Sequence, residues 1–176
     1  MERTISGMMG KGSVNHNTRA FSAKNVDKER SRDNVDFCHE DIKAVYHELF
    51  DEALERYNAK QKRSDRKIEN YYEKIRQGKQ EKLFYEVIFQ IGNRDDMNVR
   101  SEEGQLAKQI LSDFMADFQS RNPNLHVFSA HLHMDEETPH IHIDFVPVIT
   151  GSKRGLDTRV SLKGALAEQG FEGGTR

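Results

Sequence analysis

The sequence predicts an α+β domain, and three observations carry that expectation. Some segments repeat apolar residues every three to four positions, the mark of one helical face, while others are short runs rich in β-branched and aromatic residues. Two of those runs carry histidines and are separated by Asp135 to Pro139, a hairpin-length connection that makes them antiparallel neighbours.

Taken in order, Thr4 to Met9 reads as a strand leading into a Gly/Lys/Ser/Asn-rich loop, Gly10 to Asn17. From Asp41, the spacing of Ile42, Val45, Tyr46, Leu49, Ala53, Leu54 and Tyr57 predicts a long helix. A second helix is expected from Ser64 as N-cap, carrying Ile68, Tyr71, Tyr72 and Ile75 and ending by Gly78. Leu83 to Gly92 reads as a mostly buried strand. Ser101 opens a helix in which Leu106, Ile110, Phe114 and Phe118 repeat every four residues, and Pro123 ends it. Strands follow over Leu125 to Met134 and His140 to Val148, then a short helix around Leu162 to Gln169, and Gly173-Gly174 stop abruptly, as a cut end would.

The chain's 176 residues suffice for one domain with a single core. The domain is expected over 1–150, with 151–176 a C-terminal extension of it, truncated from a longer protein. No apolar run approaches the roughly 18 residues that span a bilayer, and Met1-Glu2-Arg3-Thr4 lacks the apolar core of a signal peptide, so the expected setting is cytoplasmic. The single cysteine, Cys38, excludes an internal disulfide and a thiolate-rich zinc site, leaving imidazole and carboxylate to hold any metal. A net charge of −2 argues against a uniformly basic nucleic-acid binder, but its distribution matters more. Lys60 to Lys82 hold nine Lys/Arg against four Asp/Glu, and Lys11 to Arg32 six against two. These are DNA-tracking segments or the solvated faces of helices.

The strongest chemical signal is His133-Met134-Asp135-Glu136-Glu137-Thr138-Pro139-His140-Ile141-His142. Side chains alternate along a strand, so His140 and His142 share one face while Ile141, Ile143 and Phe145 share the other. On the preceding strand His131 and His133 alternate with Ala130 and Leu132. Pairing through the turn brings His133 opposite His140 and His142, within reach of one cation. Three neutral imidazoles leave coordination positions open for substrate oxygens and water, as a catalytic metal requires. Imidazole suits zinc, manganese, iron, cobalt or nickel, so the residues do not choose the metal. His131 supports a ligand, contacts DNA or has no role. Near the start of the chain stands His16-Asn17-Thr18-Arg19, a weak motif when taken alone.

Together, His-Asn-x-Arg near the N-terminus and His-x-Asp-Glu-x-Thr-Pro-His-x-His far downstream resemble the MobV (Pre/Mob) family of plasmid mobilization and recombination relaxases, within the HUH endonucleases, over residues 1–150 or so. The resemblance implies a central antiparallel sheet with helices packed on one face. It implies His16 as nucleophile, His133, His140 and His142 as metal ligands, and Glu136 as the carboxylate that assists the nucleophile. It also implies a divalent cation as cofactor, manganese or magnesium in function, with zinc, cobalt and nickel compatible. The implied partner is single-stranded DNA of a transfer origin. A conjugation coupling protein is implied as a second partner, contacted through a C-terminal region beyond Arg176. Many relatives carry Asn-Tyr where this chain has Asn34-Val35-Asp36-Phe37, which excludes a tyrosine nucleophile there.

The implied chemistry agrees with the residues. A free imidazole titrates near pH 6.5, leaving His16 neutral and nucleophilic at cellular pH. A carboxylate on its second nitrogen stabilises the ring as it becomes cationic, as in serine-protease triads; Glu136 is the first choice and Asp135 the second. Arg19 holds phosphate or is structural. Lys62, Arg63, Arg66 and Lys67 are the expected DNA contacts of the basic segment, and Tyr57, Tyr71 and Tyr72 are weighed as base-stacking against core residues. Two readings compete: a metallohydrolase of another substrate that uses a metal-bound water, and a DNA-binding module with a structural metal.

Overall fold

The structure, a computed structural model, describes residues 4–171. The Gly173-Gly174 end and Met1 to Arg3, on which the expectations of a cut terminus and of no signal peptide draw, lie outside the described residues. The elements are β1 (Ile5–Met9), α1 (Val14–Asn17), β2 (Val35–His39), α2 (Ile42–Ala59), α3 (Tyr71–Gln77), β3 (Tyr85–Ile91), α4 (Glu102–Ala116), α5 (Phe118–Arg121), β4 (Leu125–His133), β5 (His140–Ile149), β6 (Arg159–Val160) and α6 (Leu162–Glu168). The strands form one sheet in the order β1-β3-β5-β4-β2, with β6 on β5. β1–β3, β3–β5, β2–β4 and β5–β6 pair antiparallel, bearing out an α+β fold with an antiparallel sheet.

Caps fix where the helices begin. The Asp41 carboxylate accepts from the N–H groups of Lys43 and Ala44 at the start of α2, and the Ser101 hydroxyl accepts from Gly104 N–H at the start of α4. The second helix departs from expectation. Ser64 opens a single 3-10 turn, and α3 starts later, at Tyr71, capped by Asn70. The reason is Asn58, whose side chain bonds both the N–H and the C=O of Ile68 and so holds that residue's backbone out of a helical ladder. β3 is half-buried rather than mostly buried. β2, not anticipated from the sequence, pairs with β4 as the outer strand of the sheet.

α4 turns a different face inward from the one its four-residue repeat suggested. Leu106 and Ile110 are exposed, whereas Gly104, Ala107, Leu111 and Met115 are buried. A repeat of four drifts about 40° per step around a helix of 3.6 residues per turn, so it cannot keep one face buried. Steps of three and four do.

The chain divides into two compact units, with β4 and β5 contributing residues to both. The first comprises the chain up to His39, Tyr85–Arg121 and Ser129–Phe145. Its core includes Phe89 against Phe114 of α4 at 4.7 Å between ring centroids, with Leu132, Ile141 and Ile143 fully buried. Phe89 alternates with Glu86, Ile88 and Gln90, so α4 covers the sheet face opposite the histidines. The second unit comprises Glu40–Phe84, Asn122–Phe128 and the chain from Val146 onward. There Tyr46, Phe50 and Tyr71 pack α2 on α3, with Phe50 5.1 Å from Tyr46 and 5.0 Å from Tyr71. Tyr71 is therefore a core residue.

Candidate active site

Alternation along β4 and β5 delivers His133, His140 and His142 to one face, and the β3–β5 register sets Glu86 opposite Asp144, Ile88 opposite His142 and Gln90 opposite His140. The three rings converge: His133 lies 4.7 Å from His142 and 5.3 Å from His140 between centroids, and His140 and His142 are 5.0 Å apart. Each ring is tied at one nitrogen to an oxygen. His133 Nε2 donates to Asn17 O at 2.8 Å, His142 Nδ1 to Glu86 Oε1 at 2.6 Å and His140 Nδ1 to Thr138 O at 2.8 Å. An oxygen acceptor fixes the proton on the facing nitrogen, leaving the other nitrogen of each ring as a lone pair.

His133 Nδ1 and His142 Nε2 are buried and have no hydrogen-bond partner among the described residues. Orphaned, inward-facing imidazole lone pairs are what a cation requires. Two groupings bring ligand atoms within 4.8 Å of one another, His16 with His133 and His142, and His133 with Glu136 and His140. The donor set therefore fits a divalent cation. Burial, and then the neighbouring His142, push His133 and His140 below the ordinary imidazole range, which keeps both rings neutral and able to coordinate.

The supporting residues come from distant segments. Glu86, 3% exposed on β3, receives His142, the Asn17 amide at 2.8 Å and Gly12 N–H at 2.7 Å. Burial raises its pKa, but these hydrogen bonds outweigh burial and hold it at about 2. The Gly10 backbone packs so closely on this carboxylate that a Cβ there would lie 2.0 Å from Oε2, and Gly12 adopts a φ of +74°. The Gly-rich loop is thus shaped around Glu86. The Asn17 amide also donates to Asp144 Oδ2 at 2.9 Å, and burial pushes Asp144 up to about 6. The asparagine of the first motif thereby holds His133 through its carbonyl and His142 through Glu86. Sequence reasoning missed this role. The available signal was a lone carboxylate in an apolar strand, on the parity that faces the histidines.

His16 in α1 stands 5.8 Å from His142 and 5.9 Å from His133 between centroids, so the first motif does come to the second. Its Nε2 lies 3.6 Å from Glu136 Oε1 and 3.4 Å from Arg19 Nη1. Burial, then Arg19, lower its pKa and leave the ring neutral. Arg19 is bracketed by Glu136 at 2.9 Å, by the carboxylate of Asp135 and by the His16 carbonyl at 3.2 Å. It reaches that position with a φ of 59°, a left-handed conformation that costs a non-glycine residue about 1 kcal/mol. Asp135, fully buried, binds Arg19, Ser31 and Asn34 rather than His16, whereas Glu136 faces both His16 and Asn25.

His131 is buried between Asp36 Oδ1 at 2.6 Å and Ser129 at 3.0 Å. Lys62, Arg63, Arg66 and Lys67 belong to the second unit, in and around the 3-10 turn Ser64–Arg66, all exposed, with Arg63 paired to Asp65.

A family model described as a plasmid recombination enzyme, Mob_Pre, matches residues 9–167. The chain belongs to that family. Membership in Mob_Pre bears out the resemblance carried by the two motifs and makes the chain a plasmid recombination enzyme. Similar solved structures include the MobM relaxase domain bound to plasmid pMV158 oriT DNA of 22 nucleotides, Mn-bound, at 23% identity and a TM-score of 0.48 over 90% of this chain and 74% of that one. The same domain with 23 nucleotides is 20% identical, with a TM-score of 0.47 over 96% of this chain and 86% of that one. No curated protein is similar enough to count as a match.

Proposed function

We propose that this relaxase nicks one strand at a transfer origin by attack of His16 on the scissile phosphate, forming a phosphohistidine bond to the 5′ side of the nick. The observation that carries the reading is a neutral histidine in α1 beside His133 and His142, whose inward-facing nitrogens have no partner among the described residues. His133, His140 and His142 would hold a divalent cation, the manganese of the MobM crystals being one instance. When bound, the ion offsets charge on the non-bridging phosphate oxygens.

The lone pair of His16 forms the P–N bond while the P–O3′ bond breaks and its electron pair leaves on the 3′ oxygen, which takes up a proton. Glu136, 3.6 Å from Nε2, opposes the positive charge the ring gains, and Arg19 holds Glu136 and His16 in that relation. The bond conserves the energy of the phosphodiester, so a 3′-hydroxyl can reverse the reaction and reseal the strand. Lys62, Arg63, Arg66 and Lys67 contact phosphates of the bound DNA. The proposed setting is the cytoplasm, with a conjugation coupling protein as a second partner. No helix among the described residues is long and apolar enough to cross a membrane.

One observation favours a second reading: His16, His133 and His142 form a metal grouping by themselves, which would make His16 a ligand and a bound water the nucleophile. The test is to incubate the protein with a single-stranded oligonucleotide spanning its origin and Mn²⁺ or Mg²⁺, then denature. An acid-labile, alkali-stable protein–DNA adduct lost in His16→Ala is expected. Turnover without any adduct would establish the water mechanism, and an adduct unchanged in His16→Ala would move the nucleophile elsewhere.

A further inference from the structure

The cleft that holds His16, His140 and His142 extends past them onto an apolar shelf. It measures about 590 Å³, and Met8, Ile88 and Gln90 line its other side. The register explains the shelf: Met8 pairs with Ile88, and Ile88 with His142, so the three side chains form one row across β1, β3 and β5. Gln90 continues the adjoining row, between Ser6 and His140. Neighbouring strands lie about 4.8 Å apart, which sets Ile88 one spacing from the ligand and Met8 about two.

Met8 is 57% exposed, an apolar side chain left at the mouth of the cleft. On the opposite parity Gly7 leaves room for Phe89, whose ring lies 2.8 Å from where a Cβ would be, so Met8 faces away from the helical core. A DNA strand offers phosphate and sugar, both polar, and the faces of its bases, which are apolar. With phosphate at the histidines, a base is the part of the substrate that fits the adjoining shelf.

We infer that an unpaired base next to the scissile phosphate packs on Met8 and Ile88, making this shelf a base-binding subsite of the target strand. The inference rests on the nicking reading but is tested by binding alone. Once the nick has been mapped, the His16→Ala protein is titrated in Mn²⁺ with oligonucleotides spanning the origin, intact or with one abasic residue at successive positions around the nick. Met8→Ser is expected to weaken the intact strand about five- to ten-fold, and Met8→Leu to restore it. At one abasic position the Met8 and Met8→Ser proteins should bind alike. Equal affinity of the two proteins for every strand, or a loss of the same size at every abasic position, overturns the subsite. Met8 lies exposed on an edge strand, so its replacement leaves the core intact. Failure of the nicking reading is seen separately, as absence of adduct with His16 present.

Discussion

The histidine cluster and the basic segment from Lys60 to Lys82 solve opposite problems with opposite means. In the cluster each imidazole is buried or nearly so, and a hydrogen-bonded oxygen fixes its tautomer. In the basic segment the charges sit in solvent; Arg63 pairs with Asp65, while Lys62, Arg66 and Lys67 have no side-chain partner among the described residues. Orientation within a fraction of an ångström needs a buried, fully bonded surround, because each misplaced dipole in low dielectric is costly. Attraction to a polyanion needs only accessible charge. Chemistry and affinity should therefore separate on mutation.

The largest expected effect is His16→Ala, which should lower adduct formation and nicking roughly a thousand-fold or more while leaving DNA affinity nearly intact. Next, His142→Ala or chelation should abolish metal-dependent cleavage in the nicking assay and again spare most binding in gel shifts. Glu86→Gln keeps the shape but removes the carboxylate behind His142, and should weaken cation affinity in calorimetry by about 10–100-fold; an unchanged affinity would mean that His142 is oriented without Glu86. The smallest effects belong to the basic segment. Lys62→Gln, Arg66→Gln or Lys67→Gln should each reduce the slope of log K against log salt by about 0.7, with cleavage of bound DNA unaltered. Arg63→Gln should do less, since Asp65 already neutralises it. A basic-segment variant that slowed chemistry on saturated enzyme would break the division.

How much of this could be read beforehand follows the range of the interactions. The histidine face was legible because strand alternation and a short turn are local, and α2 was legible because its apolar spacing is local as well. The fourfold spacing of α4 misled because burial follows the mean of 3.6, not each apolar residue in turn. The partners of the histidines were hidden. Asn17 meets Glu86, His133 and Asp144 across 69, 116 and 127 residues, and those meetings depend on β3 lying between β1 and β5, an order that no local pattern encodes. The late start of α3 depended likewise on one side chain, Asn58, capturing the backbone of Ile68 ten residues on.

Asn17 has a further consequence. It directly follows His16, and it touches His133 with its carbonyl and His142 through Glu86. If bound DNA displaces this segment, both rings would move with it. By thermodynamic reciprocity, whatever factor the strand applies to ion affinity, the ion applies to strand affinity. Loading of the two should be cooperative, with their order of arrival immaterial to the final equilibrium.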